Sequence, residues 1–308
     1  MATIDVQDLT LRYGDVTALD GVTFSLRDPG IYGLLGRNAS GKTTFLSVLA
    51  GFRKATAGAV LLDGRPVFED PDAMAQVCLI REGGDTVDGS ENVEAALSFA
   101  QRMRPRWDHD YALGLLERFQ LSPKKKVGQL SRGQRAALAV TLGLASRAPV
   151  TAFDESYLGM DAPSRYAFYD ELLRDYMEHP RTVILSTHHI EEVSSLLEEV
   201  VIIDRGRLLM QAEAETLRTR GATVTGPAEA VDRFATRLQV LNERRLGPTK
   251  SVVVYGTFDG DHRRQAADAG LEVGPLPLQD LFVHLTGATS SEMAMTAAGS
   301  GGATGAGQ

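Results

Sequence analysis

The run Gly36-Arg37-Asn38-Ala39-Ser40-Gly41-Lys42-Thr43-Thr44 has the composition and spacing of a loop that cradles phosphates. Its glycines let successive backbone N–H groups face an anion, and a helix beginning near Lys42 adds positive potential at its first turn. Lys42 is then the cation for the β- and γ-phosphates of a nucleotide, and the Thr43 hydroxyl a ligand for magnesium. A chance Gly-rich turn can look the same. Context separates the two: the apolar run Ile31 to Leu35 predicts a strand before the loop, and Thr43 to Ala50 a helix after it.

A second element is Val150-Thr-Ala-Phe-Asp154-Glu155, an apolar strand pattern that ends in two acids. Alone it reads equally as a solvated strand edge; beside a phosphate loop, Asp154 becomes the magnesium partner and Glu155 the group that polarises the attacking water. Leu130-Ser131-Arg132-Gly133-Gln134 precedes an apolar helix and fits the Ser-x-x-Gln capping pattern. A helix start with Ser and Gly beside it is also an anion site, and local chemistry does not choose between these readings. By themselves, Tyr13 is a core or surface aromatic and His188, in Ser186-Thr-His-His189, a structural histidine.

The elements that must position these groups follow from hydrophobic periodicity. Ile4 and Val6, then Leu9, Leu11 and Tyr13, then Val22, Phe24 and Leu26 keep a two-residue period, and Asp63-Gly64 signals a hairpin, so the opening region is expected to be antiparallel. From Gly30 the pattern changes to strand, loop and helix. Apolar runs at Val150 to Phe153, Val183 to Leu185 and Val200 to Ile203 predict further buried parallel strands. The stretch from about 87 to 148 is helical in pattern; 217–287 is expected to be a small α+β domain, with strands at Ala222 to Thr225 and Ser251 to Tyr255 around a helix near Ala228 to Leu241. The last residues, 288–308, are rich in Ala, Gly, Ser and Thr and are expected to form a flexible tail.

Composition bounds the function. With 308 residues, 43% of them hydrophobic, the chain can bury a substantial core. A formal charge of −8 argues against a general nucleic-acid surface. The one cysteine, Cys78, excludes an intrachain disulfide and fits a reducing compartment, and the N-terminus lacks the pattern of a secretory signal, so a cytoplasmic location is expected. The most apolar stretch, Ala136 to Ala145, is about half the length needed to cross a bilayer.

Taken together and in order, these motifs over residues 1 to about 215 resemble the ABC ATP-binding cassette. The resemblance implies a P-loop α/β fold of ABC type, with a mixed, largely parallel core sheet, an N-terminal antiparallel β subdomain, and a helical subdomain at about 87–148. It bounds the ATP-binding domain at 1–216. It assigns Tyr13 to adenine stacking; Gly36, Asn38, Ala39, Ser40, Gly41, Lys42, Thr43 and Thr44 to the phosphates; Ser131, Gly133 and Gln134 to the signature. Glu155, His188 and Lys42 become catalytic, His188 through its match to Ser-Thr-His, and Asp161 couples paired sites. Three positions depart from the family: Arg132 stands for a Gly, Ser156 for a Pro, and Glu82 aligns with the usual Gln, as a magnesium ligand with an added charge. The segment around Met103-Arg-Pro-Arg-Trp107-Asp108 further resembles bacterial exporter ATPases that accompany GntR-type regulators. The implied protein is a motor using ATP and magnesium, paired head to tail with a second copy or a related ATP-binding subunit. It would act on separately encoded transmembrane permease subunits at the inner face of the cell membrane. A soluble ABC ATPase of translation or DNA repair, and an importer motor, are the alternatives.

Overall fold

The computed structural model describes residues 2–81, 89–236, 238–256, 258 and 260–287. Two compact units divide between Gln211 and Ala212, somewhat before the boundary expected after 216.

The first unit opens with β1 (Ile4–Tyr13) and β2 (Val16–Leu26), followed by β3 (Gly30–Leu35) and α1 (Lys42–Leu49). Then come β4 (Ala57–Leu62), β5 (Arg65–Pro66), α2 (Pro71–Ala75) and β6 (Val77–Arg81). β1 is one strand, although its apolar residues slip phase between Val6 and Leu9. The slip is a bulge: the register with β2 and β4 shifts there, and Asp8 takes φ 46. Ile4, Val6, Leu9 and Leu11 therefore all face the core. β2, β1, β4 and β5 form an antiparallel sheet in that order, with Asp63-Gly64 turning the last hairpin.

Helices α3 (Val93–Met103), α4 (His109–Arg118) and α5 (Arg132–Ala145) follow, and then β7 (Val150–Asp154), α6 (Ala162–Glu178), β8 (Thr182–Thr187), α7 (Ile190–Val193), β9 (Glu199–Asp204) and β10 (Arg207–Glu213). The second sheet runs β10-β9-β3-β8-β7-β6, and its β9, β3, β8, β7 and β6 are mutually parallel. β3, β7 and β8 are buried along their whole length: one face shares a core with α1 and the antiparallel sheet and α5 packs on the other, which is why they read as continuous apolar runs. On one face Phe153 meets Phe168 edge-on at 5.2 Å between centroids and Tyr157 stacks on Phe168 at 5.4 Å, each ring contributing about 1.5–3 kcal/mol by burial.

Two carboxylates on α6 are buried and paired. Glu171 meets Arg118 and Arg174, and Asp175 meets Arg147 and Arg181, so α6 joins the helical segment to the start of β8 by charge as well as by packing. No helix among the described residues is long and apolar enough to cross a membrane.

The second unit contains α8 (Ala214–Thr219), β11 (Gly221–Pro227), α9 (Ala228–Ala235), β12 (Gln239–Leu246), β13 (Thr249–Tyr255), α10 (Gly260–Asp268) and β14 (Glu272–Pro275). All pairings are antiparallel in the order β12-β13-β11-β14, which makes it a split βαβ unit. Ala222, Val224, Val252 and Val254 pack under Val231 and Ala266. The helix expected over 228–241 ends at Ala235, and Gln239 already belongs to β12. Pairing with β13 from Gln239 to Leu246 outweighs a helical period that was ambiguous on that exposed stretch. The expected tail, 288–308, lies outside the described residues.

Candidate nucleotide site

Parallel register brings the ends of three strands to one edge, Leu35 beside Thr187 and Asp154 beside Ser186. The loop 36–41 bends over that edge into α1. Gly36 is confined: a Cβ there would lie 2.3 Å from the Ser40 Oγ and 2.5 Å from the Ile203 carbonyl. Gly41 takes φ 112, which side chains resist, and turns the chain into the helix. Ala39 has φ 63 and does so with a Cβ, at a cost of about 1–2 kcal/mol held by the surrounding fold. Alternating backbone hands of this kind turn successive N–H groups toward one point and form an anion nest.

The start of α1 is open. Gly41 offers no side-chain cap and the first turn holds no acid, whereas α3, α4, α5 and α6 are each capped by a side chain, Asn92, Asp108, Ser131 and Asp161. Ser40 Oγ is buried without a hydrogen-bond partner. Lys42 is buried, and its Nζ donates to the carbonyls of Gly36 at 2.7 Å and Arg37 at 3.2 Å. Burial pushes its pKa down, opposed by the carboxylates of Glu155 and Asp154. Thr43 is exposed on the first turn, and Thr44 is half-buried behind it.

Glu155 stands where β7 ends, with φ 52. Its Oε1 lies 3.7 Å from the Lys42 Nζ and 2.8 Å from the His188 Nδ1. Left-handed backbone at a non-glycine acid is costly, and such strain concentrates at sites of chemistry. Asp154, buried, accepts a hydrogen bond from Ser186 Oγ at 2.7 Å through Oδ1. His189 lies beside His188 with ring centroids 4.1 Å apart, but it is His188 that meets the acid. Lys42, Asp154, Glu155 and His188, far apart in sequence, thus share one edge.

A cavity of about 450 Å3 lies over this loop, lined by residues 39–44, by Val16, Thr17 and Ala18, and by Arg205 and Gly206. Neither β2 nor the β9–β10 turn was expected in the site. The Arg-Gly pair, with φ 48 and 78, was a readable hairpin signal, but nothing local told where the hairpin would dock. Asn38 is exposed outside the lining. Tyr13 is also outside it; the ring is 44% exposed with the Arg53 guanidinium 5.6 Å from its centroid.

Ser131, Gly133 and Gln134 do not reach this cavity within the chain. Ser131 and Gln134 close a reciprocal capping box on α5, both bonds at 3.2 Å, and Lys125 Nζ holds Gln134 Oε1 at 2.8 Å. Asp161 caps α6 through the Ser164 N–H at 2.9 Å. Glu82 lies outside the described residues.

A phosphate loop between a parallel strand and an uncapped helix, with two acids ending the next strand but one, defines a P-loop nucleotide-hydrolysing protein. Comparison narrows this class. Residues 19–157 match the ABC transporter family. The chain is 33% identical over 305 residues to a Nod factor export ATP-binding protein I of Burkholderia thailandensis, covering 93% of this chain and 98% of that one. It is 29% identical over 219 residues to the doxorubicin resistance ATP-binding protein DrrA of Mycobacterium tuberculosis, covering 68% and 65%. Among solved structures, an ATP-binding subunit of an ABC transporter superposes with a TM-score of 0.64 at 22% identity, over 70% of this chain and 91% of that one. A dimeric ATP-binding cassette in a post-hydrolysis state with ADP and Pi superposes with a TM-score of 0.61 at 19% identity, over 68% and 98%. The chain belongs to the ABC transporter family as an ATP-binding, ATP-hydrolysing subunit.

Proposed function

We propose that this subunit powers export of a small molecule through separately encoded membrane subunits, hydrolysing ATP at the loop 36–44 with Glu155 as the group that polarises water. The observation that carries the chemistry is Glu155 held between His188 and Lys42 beside an open helix start. Export is supported by the likeness to the Nod factor export protein, which extends over 93% of this chain.

In this reading the loop amides and Lys42 bind the β- and γ-phosphates, and Ser40 Oγ gains a partner there. Thr43 and Asp154 would supply oxygen donors, a set suited to magnesium, with Asp154 Oδ1 steadied by Ser186. When bound, magnesium neutralises charge developing on the phosphates. Glu155 accepts the proton of the attacking water, and His188 orients the acid and the γ-phosphate. Most of the rate then comes from positioning and charge compensation by fixed groups.

Tyr13 is assigned to the adenine. Tyr13→Ala should weaken ATP by about 1–3 kcal/mol, the range for loss of base stacking, and leave inorganic triphosphate affected little. Equal losses for both ligands, measured by calorimetry, would return Tyr13 to its contact with Arg53.

The signature residues Ser131, Gly133 and Gln134 are assigned to the site of a second subunit, with Asp161 coupling the pair, since they do not reach the cavity of their own chain. Lys42→Ala and Ser131→Arg subunits should each be nearly inactive alone. Mixed, they place both defects in one shared site and leave the other intact, so part of the ATPase activity should return with subunit exchange. A fully active Ser131→Arg protein whose specific activity does not change on dilution would leave Leu130 to Gln134 as a helix cap only.

A further inference from the structure

A second cavity, of about 630 Å3, lies at the opposite end of the parallel sheet, where β7 and β8 begin. Three stretches build its wall: Arg106, Trp107 and His109 from the connection of α3 to α4, Arg147 just past α5, and His179 with Arg181 between α6 and β8. The volume is in the range of small-molecule sites, roughly 300–1,000 Å3.

The inner wall sets the guanidiniums of Arg147 and Arg181 about the carboxylates of Asp175 and Asp108. Arg181 is 7% exposed; its guanidinium donates to Asp175 Oδ2 at 2.5 Å and to the His179 carbonyl at 3.2 Å, and its buried Nε has no hydrogen-bond partner. Asp175 must also serve Arg147, whose ring-facing guanidinium lies 4.6 Å from the Tyr111 centroid. Burial and then repulsion by Arg147 push the Arg181 pKa down to about 10. Desolvation and a like charge each disfavour the cationic form. Asp108 is committed, to Arg147 at 3.1 Å and to the start of α4 through the Tyr111 N–H at 2.9 Å. Asp110 is exposed at the rim, as is Arg106, which has no ion-pair partner among the described residues. Trp107, half-buried, supplies an apolar ring whose N–H is directed at His109 Nδ1, 3.4 Å away.

We propose that this cavity binds a small organic anion, its carboxylate or phosphate group held by Arg106 and Arg181 and its apolar body laid against Trp107. Arginine recognises both oxyanions through the same planar fork of donors. A ligand there would bridge α4 and α5 to the start of β8 at a distance from the nucleotide loop.

Trp107 is the one tryptophan of the chain, so its emission reports the site directly. The full chain, without nucleotide, is titrated with benzoate, phenyl phosphate, inorganic phosphate and, at matched ionic strength, chloride. A saturable change is expected with benzoate or phenyl phosphate, at least tenfold tighter than with inorganic phosphate; the tighter of the two identifies the oxyanion. Arg106→Ala, at an exposed position, should weaken it about tenfold, and Arg181→Lys, which keeps the charge and loses the fork, should do likewise. The response should persist in Lys42→Ala. No saturable change, an equal change with chloride, or affinity unaltered by Arg106→Ala would overturn the proposal. So would a response lost in Lys42→Ala, which would put the anion on the phosphate loop.

Discussion

Replacing Glu155 with glutamine should lower ATP hydrolysis about 10²–10⁴-fold, the usual contribution of a positioned base, and leave ATP binding intact. The amide keeps the side-chain shape but accepts a proton poorly. The backbone of Glu155 already sits at φ 52 behind β7, so the substitution adds no strain of its own. Affinity should not fall, because the variant no longer places a carboxylate 3.7 Å from the Lys42 ammonium that the phosphates need. Single-turnover phosphate release and equilibrium nucleotide binding, measured on the same preparation, separate the two effects. Hydrolysis near the wild-type rate would remove Glu155 from the chemistry and direct attention to His188.

Lys42→Ala should act on the other quantity. Truncating a buried, hydrogen-bonded cation costs about 2–5 kcal/mol at its counter-charge, so ATP affinity should fall by roughly 30-fold to several thousand-fold. In the folded chain Lys42 gathers the Gly36 and Arg37 carbonyls and the Glu155 carboxylate around one ammonium. Its loss leaves Glu155 with His188 as its one ion-pair partner among the described residues. AMP, which lacks the β- and γ-phosphates, should lose little in the same calorimetric titration. An ATP affinity equal to wild type would show that the loop amides alone hold the phosphates.

Much of this arrangement is legible in the sequence because it depends on local rules. A Gly-rich turn before an amphipathic helix, and two acids ending an apolar strand, each specify their own geometry, and parallel pairing then brings their ends to one edge. What escaped was tertiary. Ser186 looks like any polar residue at a strand end until register sets it opposite Asp154, 2.7 Å from its carboxylate. Val16 to Ala18 and Arg205 to Gly206 enter the nucleotide cavity through two separate sheets. The slip between Val6 and Leu9 reads as two strands and is one bulged strand. The stretch after Ala235 carries a pattern that helix and strand satisfy about equally; the β13 partner decides, and it lies beyond any local window.

The split βαβ unit has a property that its topology alone confers. β11, its first strand, pairs with β14, its last, and Ala222 stands directly opposite Pro275. Entry and exit are therefore neighbours, a few ångströms apart, like the two leads of a plug. A module with adjoining ends can be spliced into a chain, exchanged for another or lengthened internally without stretching what precedes and follows it. Such a unit gives a lineage of motors a place where new sequence can be tried while the ATP-binding unit upstream is left alone.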